Sequence, residues 1–473
     1  MAGSYRRAVK RSKLPRKVRL SLSIGIAVLL LIALFFLIRG CTATPKDKTE
    51  GTSTTTTTTD SNQPAQTDPN QVDLGLTDDA SLDDAESTDQ GETDDPALND
   101  VGEQTVDLTN DLAPRVPSVP VGNRAITIRS VGDIVAHAPI LKAAYTGSTY
   151  DFSSMFTEVA ETLGKADYTV LNVDGPMGGT KYARYRGYPQ FNTPPHLMLP
   201  LKDAGVDMLT LANNHALDTY FDGLLLTIKK VDEVGLAHIG AYSSKEEREK
   251  PYIVDIGGIQ VGFLNYATAT NNMMQRSDPK ANEFGLRTVD NSNAPKDIKN
   301  LRDAGAEIVI VYMHWGEEYN QNVTNNIKKM AKTLATAGAD AIIGGHQHVV
   351  LPCEWLTGKG EDGVERRTLV MYGMGNFLSD QRARYRDSGA IFEITIADNA
   401  ETGKPEVMNP QFIPTYVHRT KNGNGFNYKV LVCGDVIDNP PSGMAANVLN
   451  RIKQVWNEQK LVMDGSPAQI AKN

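Results

Sequence analysis

Six short polar motifs, each closing an apolar run, constrain this chain most: Gly132-Asp133, Asn172-Val173-Asp174, Asn213-Asn214-His215, His314-Trp315-Gly316, Gly345-His346-Gln347-His348 and Gly375-Asn376. Short apolar runs bounded by glycine and polar residues read as buried strands. Each motif therefore stands where a strand gives way to a loop, the place where open α/β sheets collect their ligands. The side chains gathered there are carboxylates, an amide oxygen and imidazoles, a set that Mn²⁺, Fe or Zn²⁺ accepts, and the absence of cysteine disfavours a structural zinc. A divalent-metal site with hydrolytic chemistry is the expectation.

Strand-like runs lie at Ala125 to Val131, Tyr168 to Val173, Met208 to Leu211, Val261 to Leu264, Glu307 to Tyr312, Ala341 to Ile343, Thr368 to Met371 and Ala390 to Ile396. Helical patterns separate several of them, at Leu197 to Ala204, Leu224 to Val234, Lys296 to Ala304 and Ile327 to Ala337, each closing near a glycine or alanine-glycine. Such alternation predicts βαβ units and a mainly parallel core over residues 121–440. Met444 to Lys460 reads as a helix in a C-terminal tail, 441–473, whose packing the sequence leaves open.

Singly, each motif has an ordinary reading, because Gly-Asp is commonly a turn and a histidine at a strand end is commonly a hydrogen-bonded core residue. Gly345-His346-Gln347-His348 is the most specific, since two imidazoles one residue apart reach one metal centre if the loop bends at the glycines. Asn214 adds a neutral oxygen, and His215 is a candidate general acid or electrostatic stabiliser with Asp218 near enough to orient it. Glu318 and Tyr319, just past His314, are candidates for substrate contact or support of that histidine. Arg184 and Arg186, within Lys181-Tyr182-Ala183-Arg184-Tyr185-Arg186, are candidates for holding an anionic polymer, with a solvated loop as the rival. His196, His238 and His418 lack acidic or glycine-rich neighbours of this kind and read as structural.

The ends of the chain speak of location. Residues 1–19 hold eight basic side chains and no acid, and Leu20 to Ile38 runs without a charge, long enough to span a bilayer as a helix. Basic residues before the span predict a cytoplasmic N-terminus and an extracellular remainder, a single-pass protein of the cell membrane. A cleaved signal peptide is the rival, but the apolar run exceeds a usual h-region and no A-x-A-like site follows Ile38. Residues 42–120 carry 18 acids against three bases, with a Thr54 to Thr59 run, and read as a disordered, self-repelling stalk. Setting residues 1–120 aside leaves 36 basic against 39 acidic residues, which gives no footprint for nucleic acid. Cys353 and Cys433 are the two cysteines of the folded part. Isolated cysteines are commonly just buried, and whether these pair stays open.

Taken in order, Val131-Gly132-Asp133, Asn172-Val173-Asp174-Gly175-Pro176, Phe191 to Pro195, Leu211 through Asp218, His314-Trp315-Gly316-Glu317-Glu318-Tyr319, Gly345-His346-Gln347-His348-Val349 and Tyr372-Gly373-Met374-Gly375-Asn376-Phe377 resemble the CapA family of capsule synthesis, the poly-γ-glutamate capsule proteins and their relatives within the calcineurin-like metallophosphoesterase superfamily. The resemblance covers about Thr127 to Ile396. It implies an α/β fold of metallophosphoesterase type, a two-layer β-sandwich flanked by helices (αββα) with a metal site at the strand ends. It also implies Asp133, Asp174, Asn214, His314, His346 and His348 as ligands of one or two divalent ions (Mn, Fe or Zn), with His215 as the acid. Two departures stand out. Ile134 and Val135 follow Asp133, where the superfamily has a histidine two residues after the carboxylate, and Asp174 stands where capsule relatives usually have Glu.

Two functions follow as expectations. One is a membrane-anchored, metal-dependent hydrolase acting on a phosphoester or on an anionic cell-surface polymer such as poly-γ-glutamate. The other is a non-catalytic component that binds or exports the polymer beside membrane-embedded capsule synthase subunits.

Overall fold

The computed structural model describes residues 121–360 and 363–472. The basic segment 1–19, the apolar span 20–38 and the acidic stalk 42–120 lie outside the described residues. Among the described residues no helix is long and apolar enough to cross a membrane.

The chain lays down β1 (Val121–Ile134), β2 (Tyr168–Val173), β3 (Met208–Thr210) and β4 (Ala237–Ile239) as a parallel block, joined in that order. It then builds a second sheet from β5 (Ile253–Ile256), β6 (Ile259–Ala267), β7 (Ile308–His314), β8 (Ala341–Gly345), β9 (Cys353–Lys359) and β10 (Glu365–Met371), in the order β5-β6-β7-β8-β10-β9. Finally it returns to the first sheet with β11 (Asn376–Leu378), β12 (Ser388–Asn399), β13 (Pro405–Asn422), β14 (Gly425–Val432) and β15 (Gln469–Ile470).

The expectation of a mainly parallel core needs correction. Strands β6, β7, β8 and β10 are parallel neighbours, but β12, β13 and β14 join β1 as an antiparallel meander, and β5 and β9 close the second sheet antiparallel. The physical cause is turn chemistry. Asn422 and Gly425 pair across a tight turn containing Gly423 at φ +57, and a hairpin this short permits only antiparallel strands.

Alternation sorts the side chains into layers. Ile126, Ile128, Phe392 and Ile394 of the first sheet pack with Ile259, Val261, Phe263, Ile308 and Ile310 of the second, a core between the sheets. The other face of the second sheet, with Val309, Val311 and Met313, is covered by Ile298, Leu301, Ile327, Ala331 and Leu334 of helices Ala294–Asp303 and Asn325–Ala337. The outer face of the first sheet is covered through Phe221, Leu224, Ile228 and Val231 of helix Tyr220–Val234. Near the C-terminus, helix Ala446–Val462 inserts Ile452 and Val455 beside Leu431 and Cys433, and β15 adds to β13 in parallel. Cys353 and Cys433 are both buried free thiols.

Candidate metal centre

The strands of both sheets end at one place. Asp133 is the penultimate residue of β1, Asp174 follows β2, Asn214 and His215 follow β3, His314 is the last residue of β7 and His346 follows β8. The sheets close on each other there, so that a Cβ added to Gly345 would stand 2.9 Å from Asp133 Oδ1. A side chain at that position would displace the carboxylate, which is the physical reason for glycine beside the histidines.

Bending of the Gly345-His346-Gln347-His348 loop was expected at the glycines. The left-handed backbone falls instead on His346 (φ +95) and His348 (φ +57). A side chain other than glycine at positive φ is strained, and strain of this kind gathers at functional sites. It turns the two imidazoles inward. Tyr319, at φ +65, donates its backbone N–H to the Gln347 carbonyl at 2.8 Å and holds that loop from the far side.

Asp133 is anchored: Oδ1 accepts from Asn172 Nδ2 at 2.8 Å and Oδ2 accepts the His346 backbone N–H at 3.0 Å, with His348 Nδ1 at 3.5 Å. Although burial opposes ionisation, the His348 and His314 rings and the His346 N–H hold its carboxyl well below the usual range. Asp174, fully buried, has the opposite lot. Among the described residues neither of its oxygens accepts a hydrogen bond, and His314 Nε2 lies 3.4 Å from Oδ1. Burial and the neighbouring Asp133 charge push its carboxyl up. His314 Nε2 is also 2.8 Å from Asn214 Oδ1 and 3.1 Å from His346 Nδ1. Burial, then each other's company, lowers the basicity of His314, and burial with His348 lowers that of His346 to about 4, so both rings offer lone pairs.

The residues fit a divalent ion. The ligand atoms of Asp133, Asp174 and His314 lie within 4.8 Å of one another, and Asn214, His346 and His348 adjoin them through the contacts above. A buried carboxylate without a donor is costly unless a cation completes it, and two carboxylates, imidazoles and an amide oxygen are the hard and borderline donors such an ion prefers. Behind the cluster lies a cavity of about 20 Å³, lined by Asp133, Asn172, Thr210, Asn265 and His314. That holds no more than a water, so substrate approaches from the loops.

Beside the cluster His215 Nδ1 donates to Asp218 Oδ2 at 2.8 Å, and that oxygen also accepts the Phe191 N–H at 2.6 Å. The Phe191 ring meets the imidazole edge-on, centroids 4.7 Å apart at 88°. Asn271 Nδ2 sits 3.3 Å from His215 Nδ1 and 3.4 Å from Nε2, while its Oδ1 accepts from Asn214 Nδ2 at 3.3 Å. Burial works against a charged His215, but Asp218 and the nearby Asp174 outweigh it and raise its basicity.

The outer candidates divide. Tyr319 is half-buried, its ring centroid 5.9 Å from that of His348, and Glu318 is exposed with its charge felt at His215, His346 and His348. Arg184 lies exposed in its loop. Arg186 is engaged locally, donating to the Gln190 carbonyl at 2.6 Å and side chain at 3.2 Å, because its loop folds back on itself in a bridge to Asn192. Sequence reasoning passed over Asn271, four residues past β6, and Gln381 and Arg386, between β11 and β12, because none of them belongs to one of the six polar motifs. Arg386 lies over the Tyr319 ring at 3.5 Å and Gln381 Nε2 donates to Tyr319 Oη at 3.1 Å.

Fold and site define a two-sheet α/β protein with a candidate divalent-metal centre at the strand ends. The family model for the bacterial capsule synthesis protein PGA_cap matches residues 127–381, and the chain belongs to that family. It is 25% identical over 314 residues to the capsule biosynthesis protein CapA of Bacillus anthracis, an alignment covering 63% of this chain and 73% of that one. With the PGA biosynthesis protein CapA of Bacillus subtilis it shares 29% over 297 residues, covering 59% and 73%. Among solved structures, the calcineurin-like phosphoesterase YfkN from Bacillus subtilis aligns at 17% identity with a TM-score of 0.35, over 72% of this chain and 99% of that one.

Proposed function

We propose that this protein is a divalent-metal-dependent hydrolase of capsule or poly-γ-glutamate biosynthesis, held on the outer side of the cell membrane by residues 20–38 and acting on a phosphoester or an amide of an anionic polymer. The observation that carries the reading is Asp174, a buried carboxylate with no hydrogen-bond donor, within 4.8 Å of the ligand atoms of Asp133 and His314. Family membership supports the biological setting. The partners that follow are the polymer itself and membrane-embedded synthase subunits.

Asp133, Asp174, Asn214, His314, His346 and His348 would hold a divalent ion, which would supply Lewis acidity toward a phosphoryl or acyl oxygen and lower the pKa of a water. The remaining work belongs to the chain. Asp218 accepts the Nδ1 proton of His215, so the charged ring carries its second proton at Nε2. Phe191 and Asn271 fix the ring plane. From there the proton is positioned to pass to the departing oxygen or nitrogen. Asn172 and the His346 N–H keep Asp133 ionised and oriented.

The test uses the full chain, assayed against phosphoesters and γ-glutamyl polymers with added Mn²⁺, Zn²⁺ or Fe²⁺. Turnover that falls steeply in His215→Ala supports the enzyme. Polymer binding that survives His215→Ala and His346→Ala, with no turnover in any variant or in the wild type, sinks it in favour of a polymer-binding component.

A further inference from the structure

A hydrolase of anionic polymers needs a cation to hold the charge next to the scissile bond, and Arg186 is already engaged by the Gln190 carbonyl and side chain and, at 3.5 Å, by the Asp218 carbonyl. Arg386 is placed for it. Its guanidinium lies 3.5 Å over the Tyr319 ring, and the Tyr319 ring is 5.9 Å from His348. Among the described residues that guanidinium makes no hydrogen bond and no ion pair, unlike Arg287, Arg419 and Arg451, which each face a carboxylate.

An arginine stacked on an aromatic face keeps its in-plane N–H donors free at the edge, and that fork matches a carboxylate or a phosphate. Stacking also fixes the side chain beforehand, so less rotamer freedom is lost when an anion arrives. The backbone is fixed as well. Asn376, buried in β11 opposite Asp133, donates through Nδ2 to the Arg386 carbonyl at 2.8 Å and to Gln381 Oε1 at 2.9 Å. Gln381 in turn donates to Tyr319 Oη. Tyr385, immediately before Arg386, stands at φ +71, a strained backbone at a residue whose neighbour is being aimed. The β1–β11 pairing therefore ties Arg386 to the carboxylate of the metal centre through a short chain of bonds.

We propose that Arg386, laid flat on Tyr319 at the rim of the metal centre, is the anion receptor of the cleft and takes a carboxylate or phosphate of the substrate on its free N–H edge. This rests on the hydrolase reading and assigns the feature by which that site selects acidic substrates. His215 is linked to Asn214 through Asn271, whereas Arg386 lies on Tyr319, whose ring neighbours His348, so proton donor and anion receptor stand beside different candidate ligands.

The experiment is isothermal titration of the full-length protein with three probes, namely tri-γ-glutamate, the same peptide with its carboxylates amidated, and phenyl phosphate. Wild type, Arg386→Gln, Arg386→Lys and Tyr319→Leu are compared, and the metal content of each sample is measured alongside. The expected result is binding weakened about tenfold or more in Arg386→Gln for the acidic probes, no change for the amidated peptide, unchanged metal, and an intermediate loss in Arg386→Lys and Tyr319→Leu. Loss with tri-γ-glutamate alone assigns the receptor to carboxylates; loss with phenyl phosphate alone assigns it to phosphates. Equal binding of the acidic probes by wild type and Arg386→Gln overturns the proposal, as does a wild type that binds none of them. The hydrolase reading fails separately, if metal and probes bind as expected and no γ-glutamyl or phosphoester bond is ever cleaved.

Discussion

Asp133 and Asp174 are the same residue type at neighbouring strand ends, yet one has hydrogen-bond donors on both oxygens and the other has none. On the proposed reading the difference separates their roles: Asp133 is held in place by the protein, and Asp174 would be completed by a cation. The acid candidate lends itself to a graded test at the same scale. Removing the imidazole in His215→Ala is expected to lower kcat by about 10²- to 10⁴-fold, while Asp218→Asn keeps the ring but removes the negative charge that favours its protonated form and should lower kcat by less. Steady-state kinetics on whichever ester or amide is found to be cleaved would check the order, and equal activity in all three proteins would remove His215 from the chemistry.

Two elements bring the ligands together, and each has a point of weakness. The first is β8, where Gly345 leaves room for the Asp133 carboxylate. Gly345→Ala puts a Cβ 2.9 Å from Oδ1 and should reduce bound metal at least tenfold with a modest change in melting temperature, measured by elemental analysis beside calorimetry. The second is the β1–β12 pair, in which Arg129 and Glu393 face one another in register with the ions 2.7 Å apart, both largely buried. Glu393→Ala strands a buried guanidinium and should cost about 3 kcal/mol of stability, read from chemical denaturation; a loss below about 1 kcal/mol would show that water reaches Arg129. These elements also mark what the sequence disclosed. The ends of β1, β2, β3, β7 and β8 were legible because each apolar run stops at a Gly, Asn, Asp or His. The antiparallel return through β13 and β14 was not, because it lacks a motif at its ends and its signal is turn chemistry around Gly423. The bend at His346 and His348 was also hidden, since histidine, though it takes positive φ more often than most side chains, does so too rarely for sequence to place it; the packed surroundings impose it.

At the scale of the whole molecule, the two sheets bury the cysteines on different elements, Cys353 at the start of β9 and Cys433 after β14. Burial pushes the Cys353 thiol up to about 12 and Cys433 higher still. Neither should react with a thiol reagent in the native protein, both should react once it is unfolded, and reduction should leave the melting temperature unchanged. Rapid labelling of either in the native state would contradict the packing. The proposed anchoring by residues 20–38 carries its own expectation, that full-length protein partitions with membranes and that deleting residues 1–38 releases it in soluble form; a deletion that stays with the membrane would call for another attachment. Arg386 illustrates why the site was only partly readable at this scale: 386 lies 67 positions from Tyr319 in sequence, and nothing short of the folded chain puts one on the other.

Everything proposed for the site depends on Asp133, Asp174 and His314 holding a divalent ion, with Asn214, His346 and His348 beside them. Elemental analysis of the purified full-length protein, next to Asp174→Asn and His346→Ala, tests it most directly. The expected result is near-stoichiometric or double-stoichiometric Mn, Fe or Zn in the wild type and at least a tenfold loss in both variants while they remain folded. A well-folded wild type that carries no metal and takes none up when any of the three is supplied would contradict it.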